Sequence, residues 1–207
     1  MPRVLLPLLG ALALLLSACG GSNGRAVTVE DRTDDHGYHG AWLDHPYSVP
    51  DIALTDTAGE RYSLADERSR LTLVFFGYTN CPDVCQVVMS TIASAVSRLQ
   101  PDERRQVQVA FVTTDPARDT PPVLRSYLDR FDPAFVGLTG PIARVSALGK
   151  PLGVYVEKGQ RLPSGGYEVD HTASVTAVRD GRAPLVWTQG TSPTAMAADL
   201  HRLLEQG

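Results

Sequence analysis

Cys81-Pro82-Asp83-Val84-Cys85 sets two thiols four residues apart, and a lone Asp170-His171-Thr172 follows far downstream. Four residues is about one helical turn, so on a helix both sulfurs would leave the same face. Two thiolates and an imidazole make a soft, low-coordinate donor set, which suits copper and suits calcium or magnesium poorly. The same thiols can also act as a redox couple. A Cys-x-x-Cys pair closes a disulfide easily, whereas a bridge across one regular helical turn is awkward unless the turn unwinds. The extra residue tilts the reading toward metal and leaves redox open.

The motif needs a strand before it and a helix after it. Residues 71–76, Leu-Thr-Leu-Val-Phe-Phe, read as a strand buried on both faces of a sheet. Residues 82–99 read as a helix, with Val84, Val88, Ile92, Ala95 and Leu99 on one stripe and Pro82 in the first turn. Cys81 then stands at a helix N-terminus, where unpaired N–H groups and the helix dipole favour a thiolate. His171, in a loop at a strand start, is the candidate third ligand, its tautomer set by a carboxylate or a backbone carbonyl. Met89 continues the row of Cys81 and Cys85 and carries a soft thioether; a core methionine packed under the site is the preferred reading.

The rest of the chain supplies the scaffold. Weak strands at 51–56 and 61–64 flank a turn, and further strands are expected at 107–113, 135–138 and 153–157. Thr120 and Pro121 start a helix over 122–131, and residues 141–148 form a short helix stopped by Gly149. Arg179-Asp180-Gly181-Arg182 is a hairpin turn between strands 174–178 and 184–187, and residues 193–204 close the chain as a helix. This order predicts an α/β domain over 46–207, a thioredoxin-like mixed sheet flanked by helices with an N-terminal hairpin extension.

The first 18 residues read as a secretory signal: Arg3, an apolar core and small residues at the cut. Leu16-Ser17-Ala18-Cys19 resembles a bacterial lipobox, which makes Cys19 the lipid anchor and places the body at the cell membrane, outside the cytoplasm. Cutting there removes 18 of 207 residues and one arginine, leaving 189 residues and a net charge of −5. Residues 19–45 read as a flexible tether. Its His36, His39 and His45 are taken as incidental linker residues in preference to a metal-gathering patch. A mildly acidic chain with no basic patch excludes a nucleic-acid partner. With Cys19 spent on lipid, exactly two of the three cysteines remain, both in one motif and free for chemistry.

Residues 76–85, Phe-Gly-Tyr-Thr-Asn-Cys-Pro-Asp-Val-Cys, closely resemble the signature of the Sco/SenC family. Asp115-Pro-Ala-Arg-Asp-Thr-Pro121 and Val169-Asp-His171-Thr-Ala-Ser174 resemble its other two blocks, in the same order, and residues 50–59 resemble its usual domain start. The resemblance covers about residues 38–205 and implies a membrane-anchored thioredoxin fold. It also implies one copper ion held by Cys81, Cys85 and His171, and a metallochaperone role toward the subunit carrying the binuclear copper centre of cytochrome c oxidase. The alternatives are a thiol–disulfide oxidoreductase that uses Cys81 and Cys85 to reduce the cysteines of that centre, or a copper sensor or buffer. Two positions depart from the pattern: Asn80 stands where relatives often have His, and Gln86 where they often have Pro. The Asp115–Pro121 block reads as a helix start beside the site, with Asp115 and Arg118 as candidate supporting residues.

Overall fold

The computed structural model describes residues 33–161 and 167–206. Its centre is β4 (Leu71–Gly77), buried at every position. Leu71, Leu73 and Phe75 enter one apolar cluster while Val74 and Phe76 enter another, so the strand is covered on both faces. β4 pairs in parallel with β5 (Val107–Thr113), from Leu71↔Val107 to Gly77↔Thr113, and β5 pairs in parallel with β6 (Val136–Thr139). The first crossover contains α1 (Val84–Ser97) and the single turn α2 (Pro101–Arg104); the second contains α3 (Pro121–Leu128). α1, α3 and the C-terminal α5 (Pro193–Glu205) pack on the Phe75 face, and α4 (Ile142–Gly149) on the Phe76 face.

On the other side of β4 lie β9 (Ser174–Arg179) and β10 (Arg182–Thr188), both in antiparallel register. Asp180 and Gly181 join them with φ of 51° and 70°, the pair of positive angles that a tight hairpin turn demands. β1 (Ala41–Ser48) pairs with β10 at one edge. At the other, β2 (Leu54–Asp56) pairs with both β3 (Arg61–Tyr62) and β6. The expected N-terminal hairpin is thus the far edge of one eight-stranded sheet, ordered β1-β10-β9-β4-β5-β6-β2-β3. β7 (Val156–Arg161) and β8 (Tyr167–His171) form a separate two-stranded ladder.

Three sequence expectations change. α1 begins at Val84, so Pro82 and Asp83 precede the helix. β7 begins at Val156, because residues 150–152 form a 3-10 turn closed by Gly153 at φ 71°. Residues 34–45, read as part of a tether, carry structure. The Asp34 carboxylate accepts the backbone N–H groups of His36, Tyr38 and Trp42 at 2.9, 2.8 and 3.1 Å. Tyr38 is buried and stacks on Trp42 with ring centroids 5.0 Å apart. The buried Asp199 of α5 accepts from the Gly40 amide at 2.9 Å and the Trp187 indole at 2.7 Å, and also bonds both the backbone and the ring of His39. These polar residues look like linker composition, yet they spend their hydrogen bonds on the domain. Among the described residues no helix is long and apolar enough to cross a membrane.

Candidate metal centre

β4 delivers the chain to the site at Gly77, where a side chain has no room. A Cβ there would stand 3.0 Å from the Phe75 and Phe111 rings and 3.1 Å from Cys85 Sγ. The chain then turns, with the Cys81 amide donating to the Tyr78 carbonyl at 3.2 Å, and enters α1. Cys81 lies just outside the helix and Cys85 in its first turn. Both are buried, 6% and 0% exposed, and neither is in a disulfide. The Cys85 N–H donates to Cys81 Sγ at 3.4 Å, so one orphan amide of the helix N-terminus is satisfied by sulfur.

Position at a helix start favours thiolates, but burial opposes it at Cys85. Loss of water pushes the Cys85 thiol up, and its hydrogen bond with Cys81 pushes in the same direction. Burial therefore favours the neutral thiol at Cys85.

A residue that the sequence did not single out holds the loop. Asp119 is fully buried, and its carboxylate accepts from the Thr79 amide at 2.9 Å, the Thr79 hydroxyl at 2.6 Å and the Thr113 hydroxyl at 2.7 Å. It ties the cysteine loop to the end of β5. The Asp115 amide bonds the same Thr113 hydroxyl at 2.9 Å. Asp115 also pairs with Arg118, whose guanidinium lies 5.7 Å from the Tyr78 ring centroid. The 115–121 block does start α3 at Pro121, and Thr120 is its N-cap residue without a side-chain cap bond. Its larger structural role is this brace. Tyr127 of α3 was missed as well. Its hydroxyl is buried with no hydrogen-bond partner among the described residues, and burial, helped by Cys85, pushes the phenol up.

His171, expected in a loop, instead ends the strand β8, its backbone paired with Val156; its side chain lies outside the described residues. The hairpin sits against the cysteines' own apolar cluster, which contains Cys81, Cys85 and Val169 and packs on Val156. Met89 is wholly buried in that cluster, the place of a core methionine. His39 is engaged by Asp199 at 2.9 Å, and His36 Nε2 lies 3.3 Å from Asp44. Among the described residues no group of three His, Cys, Asp or Glu side chains comes together. Cys19 lies outside the described residues.

A strand, a buried two-cysteine loop and a helix, set in a mixed sheet covered on both faces, define a thioredoxin-fold thiol protein. The chain belongs to the SCO1/SenC family, which it matches over residues 44–205. A protein of Stutzerimonas stutzeri described as copper-binding is 34% identical over 145 residues, 67% of this chain and 71% of that one. The mitochondrial protein SCO2 of Saccharomyces cerevisiae is 31% identical over 168 residues, 78% of this chain, which spans little more than half of it, 54%. The apo Sco1 structure from Thermus thermophilus shares 36% identity and a TM-score of 0.72, covering 80% of this chain and 96% of that one. ScoI of Bradyrhizobium japonicum, solved with copper bound, shares 34% identity and a TM-score of 0.66, covering 79% and 98%.

The residues present fit a soft ion. Both cysteines lie in one apolar cluster, with the Cys85 sulfur against the bare face of Gly77, an arrangement that suits Cu(I) and repels hard, hydrated cations.

Proposed function

We propose that this chain is a copper metallochaperone, lipid-anchored through Cys19 on the extracytoplasmic face of the membrane. It delivers one copper ion to the binuclear centre of cytochrome c oxidase. Cys81 and Cys85 hold the ion with His171 as third ligand. The observation that carries the reading is the close pair of buried, unbridged thiols, with the Cys85 amide on Cys81 Sγ at 3.4 Å. Family membership and the copper-bound relative support it. Thiols must lose their protons to bind metal, so loading the site releases the proton that burial keeps on Cys85.

The test is copper stoichiometry under a competing chelator. It compares the reduced chain from residue 25 onward with the Cys81→Ala/Cys85→Ala and His171→Ala variants. One copper per chain, lost in the double variant and much weakened in the histidine variant, is the expected result. Unchanged affinity in His171→Ala refutes the three-ligand site.

One observation favours a second reading, reduction of a target's cysteines. Cys81 stands outside the helix, so a Cys81–Cys85 disulfide does not have to span a regular helical turn. Thiols that cycle readily to a disulfide, in a chain that takes up no copper against the chelator, would make this the better reading.

A further inference from the structure

The turn between β5 and α3 grips three consecutive residues ahead of the thiols. The Thr114 amide donates to the Gly77 carbonyl at 2.7 Å, the Arg118 guanidinium lies 5.7 Å from the Tyr78 ring centroid, and Asp119 accepts from the amide and hydroxyl of Thr79. The turn is itself one unit. The amides of Arg118 and Asp119 both donate to the Asp115 carbonyl, at 3.1 and 2.9 Å. The Asp115 amide donates to the Thr113 hydroxyl, which donates in turn to Asp119.

Within it the Asp115–Arg118 pair is costly and is not needed to start a helix. Asp115 is 4% exposed, and a buried carboxylate persists only when it is paired. α3 starts at Pro121 behind Thr120, and no side chain caps it. What the pair holds is Tyr78. Asp115 accepts from Arg118 Nε, which fixes the guanidinium beside the Tyr78 ring at a distance where an aromatic face attracts a cation. Tyr78 is buried, and its backbone serves both cysteines. Its carbonyl accepts the Cys81 amide at 3.2 Å, and its backbone hydrogen bond to Cys85 opposes the effect of burial on that thiol.

We propose that Arg118 is a positioning residue for the Cys81–Cys85 pair: braced on Asp115, it fixes Tyr78, and through the Tyr78 backbone it sets where the two sulfurs stand. The inference deepens the copper reading and rests on it where copper is the readout. A guanidinium suits the task because its planar fork keeps one N–H on a carboxylate while the plane meets a ring, and the point charge of lysine does this only in part.

The test compares the reduced wild type with Arg118→Met, Arg118→Lys, Tyr78→Leu and the Arg118→Met/Tyr78→Leu double variant. The backbone amide shifts of Cys81 and Cys85 are recorded by NMR without metal, copper retention is measured against a competing chelator, and Tm is followed. Arg118→Met is expected to move both amides and to weaken copper retention about tenfold. Arg118→Lys should recover part of each. In the Tyr78→Leu background, Arg118→Met should add nothing further. Unchanged copper retention in Arg118→Met, whatever its Tm, shows a merely structural pair and overturns the inference. So does a full further loss on top of Tyr78→Leu, or a lysine variant no better than the methionine one. If Tyr78→Leu does not fold, the lysine and methionine variants decide. A wild type that takes no copper refutes the chaperone reading; unmoved Cys81 and Cys85 amides in Arg118→Met then overturn the positioning role on their own.

Discussion

The cysteine loop and the hairpin bearing His171 are fastened to the fold in different ways. The loop leaves the central strand of the sheet and is pinned by polar bonds to the buried Asp119, with Gly77 letting it pack without a gap. The hairpin lies outside the eight-stranded sheet. Among the described residues it meets the fold through the apolar contacts of Val156 and Val169, and its own base is closed by the Thr172 amide donating to the Tyr155 carbonyl at 3.2 Å and the Tyr155 amide donating to the Thr172 hydroxyl at 3.1 Å. One region therefore depends on a directional network that fails when a single acceptor is lost, the other on burial that weakens by degrees.

Four variants break or sharpen that contrast. Asp119→Ala should do most damage, because it leaves three donors without their acceptor, one buried on Thr113 and two half-buried on Thr79. A loss of about 3 kcal/mol in denaturant unfolding is expected, with faster alkylation of Cys81 and Cys85. Wild-type stability in this variant would mean that the brace is dispensable. Gly77→Ala comes next. Its methyl group meets two rings and a sulfur at 3.0–3.1 Å, for a loss of about 2 kcal/mol by the same measurement. On the hairpin side, Val169→Ala should cost about 1 kcal/mol. Hydrogen exchange should rise at the amide of Thr172 and stay unchanged at that of Thr79; a rise at Thr79 would show the two regions to be one unit.

The smallest effect is a control away from both regions. His201 of α5 pairs with Glu103 of α2. The hydrogen bond to Glu103 holds the His201 pKa above its ordinary 6.5, and the same bond holds Glu103 below its ordinary 4.5. A raised histidine pKa contributes stability fully present below 6.5 and lost as pH rises through the folded value. A lowered carboxyl contributes stability present above 4.5 and lost as pH falls through its folded value. The bridge therefore acts between those limits. His201→Gln should lower Tm by about 1 °C near about pH 5.5 and leave it unchanged near about pH 9, with Thr79 and Thr172 exchange unaffected at both.

Much of this was legible in the residues. The apolar run 71–76 followed by Cys-Pro-x-x-Cys shows a strand delivering thiols to a helix, and Asp180-Gly181 shows the turn between β9 and β10, because both rest on local rules of burial and backbone angle. The misses share a physical cause. Asp119 and Asp199 are buried acceptors whose partners come from distant segments, and in sequence they look like any surface aspartate. Residues 34–40 are polar and glycine-containing, and partners some 160 positions on, Asp199 and Gln206 among them, help turn them into structure. Tyr127 carried no motif at all. The cysteine spacing was read as an i, i+4 pair on one helix, but the helix begins at Val84, so the objection to a disulfide was stronger in the sequence than in the fold.

The clasp on Asp199 also has a mechanical meaning. A pull on the chain at residue 33 meets the Asp34 turn first, then the stacked Tyr38 and Trp42, then the bonds of His39 and Gly40 to Asp199. Beyond the Asp199 bonds the load reaches the β1 ladder on β10, of which Trp42 is itself a member. The segment works as strain relief on a cable: tension from the N-terminal side is shared with α5 and, through Trp187, with β10, so that it does not fall on the β1 edge alone.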